Sequence, residues 1–246
     1  AQAKVKEESH MPMGMGYGYY WDPTYVLVII GAVICMIASA NVSGTYKKYN
    51  RVRNSRNMTG AQVAAQILQE AGLSHIRIEH ISGDLTDHYD PSAKVLRLSD
   101  SVYGSTSIAA AGVAAHECGH AIQDKVNYVP IRLRNAIVPV VNLGSKLSWP
   151  VIILGLILGR AGLLQIGILL FGLTLLFQVV TLPVEFNASG RALKILDQRG
   201  ILGHEEMRGA RKVLGAAAMT YVTATISTLL QLLRLVLLFG NRSNRD

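Results

Sequence analysis

The chain has 246 residues, half of them hydrophobic and only 16% charged, against about 25% charged in an ordinary soluble domain. With 24 Lys and Arg against 16 Asp and Glu, the net charge is +8, and the mean hydropathy is +0.29. This composition excludes a disordered chain and a highly charged nucleic-acid binder, and two cysteines exclude a disulfide scaffold. The charge is confined to particular segments, so an integral membrane protein with one polar domain is expected.

Ser9-His10-Met11 has the form of a cloning scar before a start codon. Residues 1–13 are therefore read as an added or flexible N-terminus, with no cleavable signal pattern. The first predicted span covers 24–42, and Tyr25 to Val42 contains no charge. Residues 43–135 follow as a polar lobe. In it, Thr59 to Gly72 reads as an amphipathic helix with Thr59 as N-cap, Gly72 just past its end, and Val63, Ile67 and Leu68 on one face. His75 to Ile81 alternates with the period of a strand, placing Ile76, Ile78 and His80 on one side. A turn-rich loop from Gly83 to Pro91 leads to a second short strand, Lys94 to Leu98. Ser105 or Thr106 is expected to cap a helix running to about Asp124.

Three further spans are predicted at 137–158, 163–182 and 213–240. Gly159-Arg160-Ala161-Gly162 is a tight turn that makes a hairpin of the second and third. Gly155 and Gly159 form a GxxxG, which permits close helix packing. Lys146 is a candidate functional lysine in the second span or an interfacial one, and Arg234 in the fourth is expected to snorkel outward.

Eleven Lys and Arg lie between the first two spans, six between the last two, one in the hairpin turn and two in the tail. The excess puts both polar segments on the cytoplasmic side and both termini outside. The cluster Lys47–Arg56 reads as a stop-transfer and anionic-lipid anchor rather than a nucleic-acid site.

His116-Glu117-Cys118-Gly119-His120 is an HExxH sequence inside a predicted helix. At about 100° per residue, the two histidines differ by about 40° around the helix, and Glu117 lies within about 100° of His116. Two imidazoles can grip one Zn²⁺, and Glu117 can reach a water on that metal. Cys118 projects away from His120 and is expected to pack rather than ligate. Gly119 leaves the helix bare for another element to approach.

A catalytic zinc takes a third protein ligand, for which Glu185, His204, His88, Asp87 and Asp124 are the candidates. Glu185 is favoured over an interfacial salt-bridge role. It stands where the third span leaves the membrane, just after Pro183, which is expected to kink the helix, and a carboxylate there is costly unless paired or metal-bound. Ser189, one turn on, could hydrogen-bond a ligating imidazole.

Thr86-Asp-His-Tyr-Asp-Pro91, the strand Lys94–Leu98, Ala115-His-Glu-Cys-Gly-His-Ala121 and Glu185-Phe-Asn-Ala-Ser189 resemble the YugP-like membrane zinc metallopeptidases, and more distantly the HtpX-like gluzincins. The order of spans and motifs matches over roughly residues 15–240. The resemblance implies a mainly α integral membrane protein. It would have about four transmembrane helices and a cytoplasmic zincin-like α+β lobe holding a small β-hairpin and the HExxH helix. It further implies one Zn²⁺ per chain held by His116, His120 and Glu185, with Glu117 as the catalytic glutamate. HtpX-like relatives carry Asp four residues after the third ligand; Ser189 stands there in this chain, implying a weaker contact.

His204, Tyr103 and His88 are candidate oxyanion donors. Lys94, Val95, Leu96, Arg97 and Leu98 are a candidate edge strand for substrate, by likeness to other gluzincins. The expected partners are a membrane-associated protein or peptide substrate and the bilayer, with no nucleic acid. Two other classes compete. In a site-2-type intramembrane protease HExxH would lie within a span, but the eight apolar residues Ile108 to Ala115 are too few to cross. A metal-stabilised scaffold or chaperone would have no use for Glu117.

Overall fold

The computed structural model describes residues 22–239; the expectations for residues 1–13 and for the tail arginines lie outside the described residues. Seven helices and one small sheet are seen among these residues, in the order α1 (Tyr25–Asn50), α2 (Gly60–Glu70), β1 (Arg77–Ile81), β2 (His88–Asp90), β3 (Val95–Ser99), α3 (Asp100–Tyr103), α4 (Ile108–Lys125), α5 (Val129–Ile157), α6 (Ala161–Gln198) and α7 (His204–Phe239). α1, α5, α6 and α7 are long and apolar enough to cross a membrane. Val26, Ile29, Val33 and Met36 of α1 and Val140, Leu143 and Ile157 of α5 are exposed, as side chains facing lipid would be. The protein is mainly helical, with four candidate spans and a small sheet, as the sequence predicts.

Local sequence explains the lobe's elements. Thr59 and Gln62 form a reciprocal capping box at the start of α2, and Gly72 takes φ +64° beyond its end. α4 is capped by Ser107, whose Oγ accepts from the Ala110 N–H at 3.0 Å, rather than by Ser105 or Thr106. The Ser105 hydroxyl instead donates to the Ser107 hydroxyl, which donates on to Asn50. α4 is the lobe's central post. Ala109, Ala110, Ala111, Ala114 and Ala115 are fully buried, and their small side chains let α2, α6 and α7 pack around it.

The sheet order is β1-β3-β2, with β3 parallel to β1 and antiparallel to β2. The predicted strand Lys94–Leu98 is therefore not an edge. β3 is flanked on both sides at Val95, Leu96 and Arg97, which leaves these residues no free side on which to pair with a substrate, while Leu98 pairs with His80 of β1. Lys94 itself is a turn residue with φ +52°. His80 is also exposed rather than inward-facing, with Nε2 2.7 Å from Asp100. Ile78 and His80 share one face of β1, but His80 lies further along the strand, at the start of α3, where Asp100 and the Tyr103 ring are its partners.

In the membrane layer, α5 and α6 form the predicted hairpin, turning at Gly159 with φ +61°. Gly155 explains how close they come: a Cβ there would stand 2.9 Å from the Leu164 nitrogen. α5 and α6 run on as helices past Pro139, Pro150 and Pro183. α6 runs for 38 residues through Pro183 and carries Glu185 from the end of the span into the lobe. Lys146 is exposed on α5. Arg234 reaches the start of α1. Its guanidinium pairs with Asp22 at 2.9 Å and lies 4.1 Å from the Tyr25 ring centre, tying the end of α7 to the start of α1.

Candidate metal centre

α4 and α6 cross at Gly119. A Cβ at this position would lie 2.7 Å from the Ala188 carbonyl oxygen, so the bare glycine lets the two backbones touch. One turn of α4 on either side of that contact carries His116 and His120, and the facing turn of α6 carries Glu185 and Ser189. The sequence-predicted set is thereby brought together from two helices.

His116 Nε2 and His120 Nε2 are 3.2 Å apart, and Glu185 Oε2 lies 3.2 Å from the first and 3.7 Å from the second. These are the spacings a tetrahedral ion requires, since bonds of about 2.0–2.1 Å place neighbouring donors about 3.3 Å apart. Among the described residues these three form the group of donors able to hold a metal ion. Zinc fits this donor set of two neutral nitrogens and one carboxylate oxygen.

Outer contacts fix both rings. Gln123 donates its amide to the Val184 carbonyl at 2.8 Å and to Asn187 Oδ1 at 3.0 Å, so its Oε1 faces His120 Nδ1 at 3.0 Å as an acceptor. Nδ1 must then carry the proton, which leaves the Nε2 lone pair free for a metal. Ser189 Oγ lies 3.1 Å from His116 Nδ1 and can fix that ring in the same tautomer.

Burial alone would raise the Glu185 carboxyl, but hydrogen bonds and charge from His116 and His120 outweigh it and hold the group below the usual carboxylate range. Burial works against a charged His120, and contacts with Glu185 and Glu117 outweigh it and raise the ring above its ordinary value. The cluster is thus a buried carboxylate facing two imidazoles, and a cation held there would meet all three donors.

Glu117 is buried beside the three donors but is not one of them. Its Oε2 accepts the Tyr89 backbone N–H of β2 at 3.0 Å. Cys118 faces the opposite way, fully buried with its sulfur 3.7 Å from the Ala64 carbonyl. Burial pushes its thiol up, away from the thiolate a metal would need.

The other candidates sort by position. His204 opens α7 with its side chain 83% exposed beside Glu205, and Tyr103 packs on His80 and the lobe core; neither lines the cavities at the centre. Asp87 accepts from the Ser99 N–H and hydroxyl, and Asp124 from Tyr89 and Lys94, so both carboxylates serve the lobe rather than the donor cluster. His88 does line a cavity of about 180 Å³ with His116, Glu117 and His120.

Three participants were not singled out in the sequence. Arg134 of α5 reaches Glu185 Oε1 at 3.5 Å. Tyr221 of α7 lines both cavities at the centre. Gln123 carries the His120 ring. Gln123, three residues after His120, could have been suspected from helical spacing; Tyr221 shows only as a polar ring in an apolar run, and Arg134 as one more basic residue of the loop.

A membrane-associated helical protein with an HExxH helix and a glutamate donor from a second helix is the class these features define. Residues 24–240 match the family model described as "Putative neutral zinc metallopeptidase", and the chain belongs to that family. It is 43% identical over 218 residues to the "Putative membrane protease YugP" of Bacillus subtilis (strain 168), covering 88% of this chain and 97% of that protein. No solved structure matches.

Proposed function

We propose that the protein is a zinc-dependent endopeptidase that cuts membrane-associated protein substrates at the cytoplasmic face of the membrane. One observation carries the reading: a buried carboxylate, Glu117, is held beside a complete three-donor metal cluster without belonging to it. His116, His120 and Glu185 would hold one zinc ion per chain. When bound, the ion supplies Lewis acidity, polarising a carbonyl and lowering the pKa of a water toward about 7.

The chain's own groups do the rest. The Tyr89 N–H fixes the Glu117 carboxylate so that it can take a proton from the attacking water and pass it to the leaving amine. Gln123 and Ser189 keep both imidazoles aimed at Glu185, and Arg134 holds the second Glu185 oxygen. Tyr221 lines the cavity with a hydroxyl that could meet a developing oxyanion, whereas His88 Nδ1 faces the Thr86 carbonyl at 2.9 Å and its Nε2 faces Arg97 at 3.3 Å, which leaves that ring no free donor. The cytoplasmic assignment rests on the basic residues of the two polar segments.

Purified protein and Glu117→Gln test this together in a peptide cleavage assay with metal analysis. The variant should keep its zinc and lose cleavage by at least about a hundredfold, the low end of what a positioned acid–base group supplies. Cleavage by Glu117→Gln at the wild-type rate would place the chemistry elsewhere.

A further inference from the structure

A further cavity, of about 370 Å³, lies in the membrane layer rather than in the lobe. α5 lines it between Val141 and Ser145, α6 between Thr174 and Thr181, and α7 between Tyr221 and Thr225, all within candidate spans. Polar side chains from the three helices meet there among apolar neighbours, and none of its described lining residues is charged. Three of the hydroxyls already have a use. Thr181 and Thr225 donate to the Phe177 and Tyr221 carbonyls at 2.8 Å, and Ser145 to the Asn142 carbonyl at 3.3 Å, each one turn back along its own helix.

The two amide side chains have no such use. Among the described residues neither Asn142 nor Gln178 makes a side-chain hydrogen bond, and Gln178 Oε1 is buried without a partner. Asn142 is exposed beside Leu143 and so stands at the rim, while Gln178 is half-buried on the facing helix. An unpaired amide inside the hydrocarbon layer is costly, and polar groups kept within spans mark sites of function. Tyr221 ties the cavity to the metal centre, because it also lines both cavities there. Along α6, Gln178 precedes Glu185 by seven residues, which is two turns or about 10 Å.

We propose that this cavity is an intramembrane exosite: it takes amide groups from the membrane-side end of a substrate's spanning segment, about three residues from the scissile bond, with Asn142 and Gln178 as their partners. The spacing is about 10 Å divided by the roughly 3.3–3.6 Å that one extended residue covers. The proposal rests on the peptidase reading above and narrows its substrates to membrane-spanning proteins. An uncharged lining matches neither an ion nor a phosphate headgroup, whereas an amide both gives and accepts hydrogen bonds, as the two side chains do. A spanning helix that is drawn out to reach the metal frees peptide N–H and C=O groups, and at this depth they are tolerated only where protein pairs with them. The amide comes either from that unwound backbone or from an Asn or Gln side chain.

The test uses zinc-loaded protein in lipid nanodiscs, a single-span substrate, and a soluble peptide with the same cleaved sequence but no apolar stretch. Asn142→Leu and Gln178→Leu should each lower kcat/KM for the spanning substrate severalfold, and together at least about tenfold, given about 3–18-fold for one hydrogen bond inside a bilayer. The loss on the soluble peptide should be at least about fivefold smaller. Zinc content should hold, and the melting temperature should not fall, because leucine strands no polar group. Asn for Leu at the third residue on the membrane side of the bond should raise kcat/KM severalfold if a side-chain amide is the ligand, and Gly-Gly should do so if the unwound backbone is. Either gain should vanish in the double variant. Binding of a labelled spanning peptide to zinc-loaded Glu117→Gln, weakened at least about tenfold by adding both leucines, is a readout independent of turnover. Equal losses on the two substrates, no loss on the spanning one, or neither gain would overturn the exosite. If the double variant cut both substrates like wild type while Glu117→Gln cut neither, the peptidase reading would stand without the exosite; cleavage that survived Glu117→Gln would remove both.

Discussion

Gly119→Ala adds one methyl group at the point where α4 and α6 touch. That carbon would lie 2.7 Å from the Ala188 oxygen and 3.2 Å from its Cα and carbonyl carbon, whereas ordinary contact begins near 3.4 Å. The shortfall to the oxygen, 3.4 − 2.7, is about 0.7 Å, and the obstructing atoms are backbone, so no side chain can rotate aside. The helices must part, and the same two turns hold His116 and His120 on one side and Glu185 and Ser189 on the other. A shift of even half that size exceeds the roughly 0.2 Å tolerance of a metal site. The full shift would also stretch the 3.1 Å contact between Ser189 and His116 to about 3.8 Å, beyond hydrogen-bonding range.

Ala is the better helix former by about 1 kcal/mol, against an overpacking cost of about 1–3 kcal/mol. The expected net is a loss of up to about 2 kcal/mol, and of at least about tenfold in zinc affinity. Melting in detergent with and without zinc, and competition with a chelator, measure both. Gly190→Ala is the control on the facing helix α6, because a Cβ there meets nothing within 4 Å. It should leave zinc binding alone and, if anything, raise the melting temperature. A Gly119→Ala protein that binds zinc and melts like wild type would refute the reasoning.

Other outcomes follow from the same geometry. Gln123→Leu removes the acceptor for His120 Nδ1 together with the amide's bonds to Val184 and Asn187, so zinc affinity should fall about 10–100-fold, read by chelator competition. Ser189→Ala should cost affinity as well, but less than Gln123→Leu, because only one neutral hydrogen bond is lost and no buried partner is stranded. A cysteine introduced between Arg51 and Arg56 should be shielded from a membrane-impermeant thiol reagent in intact cells, and one near Arg242 should be labelled; the reverse pattern would put the metal centre outside.

The elements that could be read from sequence are those whose signal is local. The four apolar runs, the Thr59 N-cap and HExxH each depend on residues within a turn or a span of one another. Glu185 was legible because its position at the end of a span and its sequence neighbours marked it. What could not be read depends on long-range pairing. The parallel pairing of β1 with β3 puts the strand Val95–Ser99 in the centre of the sheet, although its residues alternate as an edge strand's could. Arg234 finds Asp22 across 212 residues of chain, which no hydrophobicity argument foresees. Tyr221 and Arg134 reach the centre only because α7 and α5 pack beside it.

The central claim is that α6 supplies the third zinc donor through Glu185. Zinc content and affinity of purified Glu185→Gln, measured beside wild type by metal analysis and chelator competition, test it most directly. The expected result is about one zinc per chain in wild type and a sharp loss in the variant, together with loss of the thermal stabilisation that added zinc gives wild type. Glu185→Gln binding zinc like wild type, while Asp124→Asn or His204→Ala does not, would contradict the account.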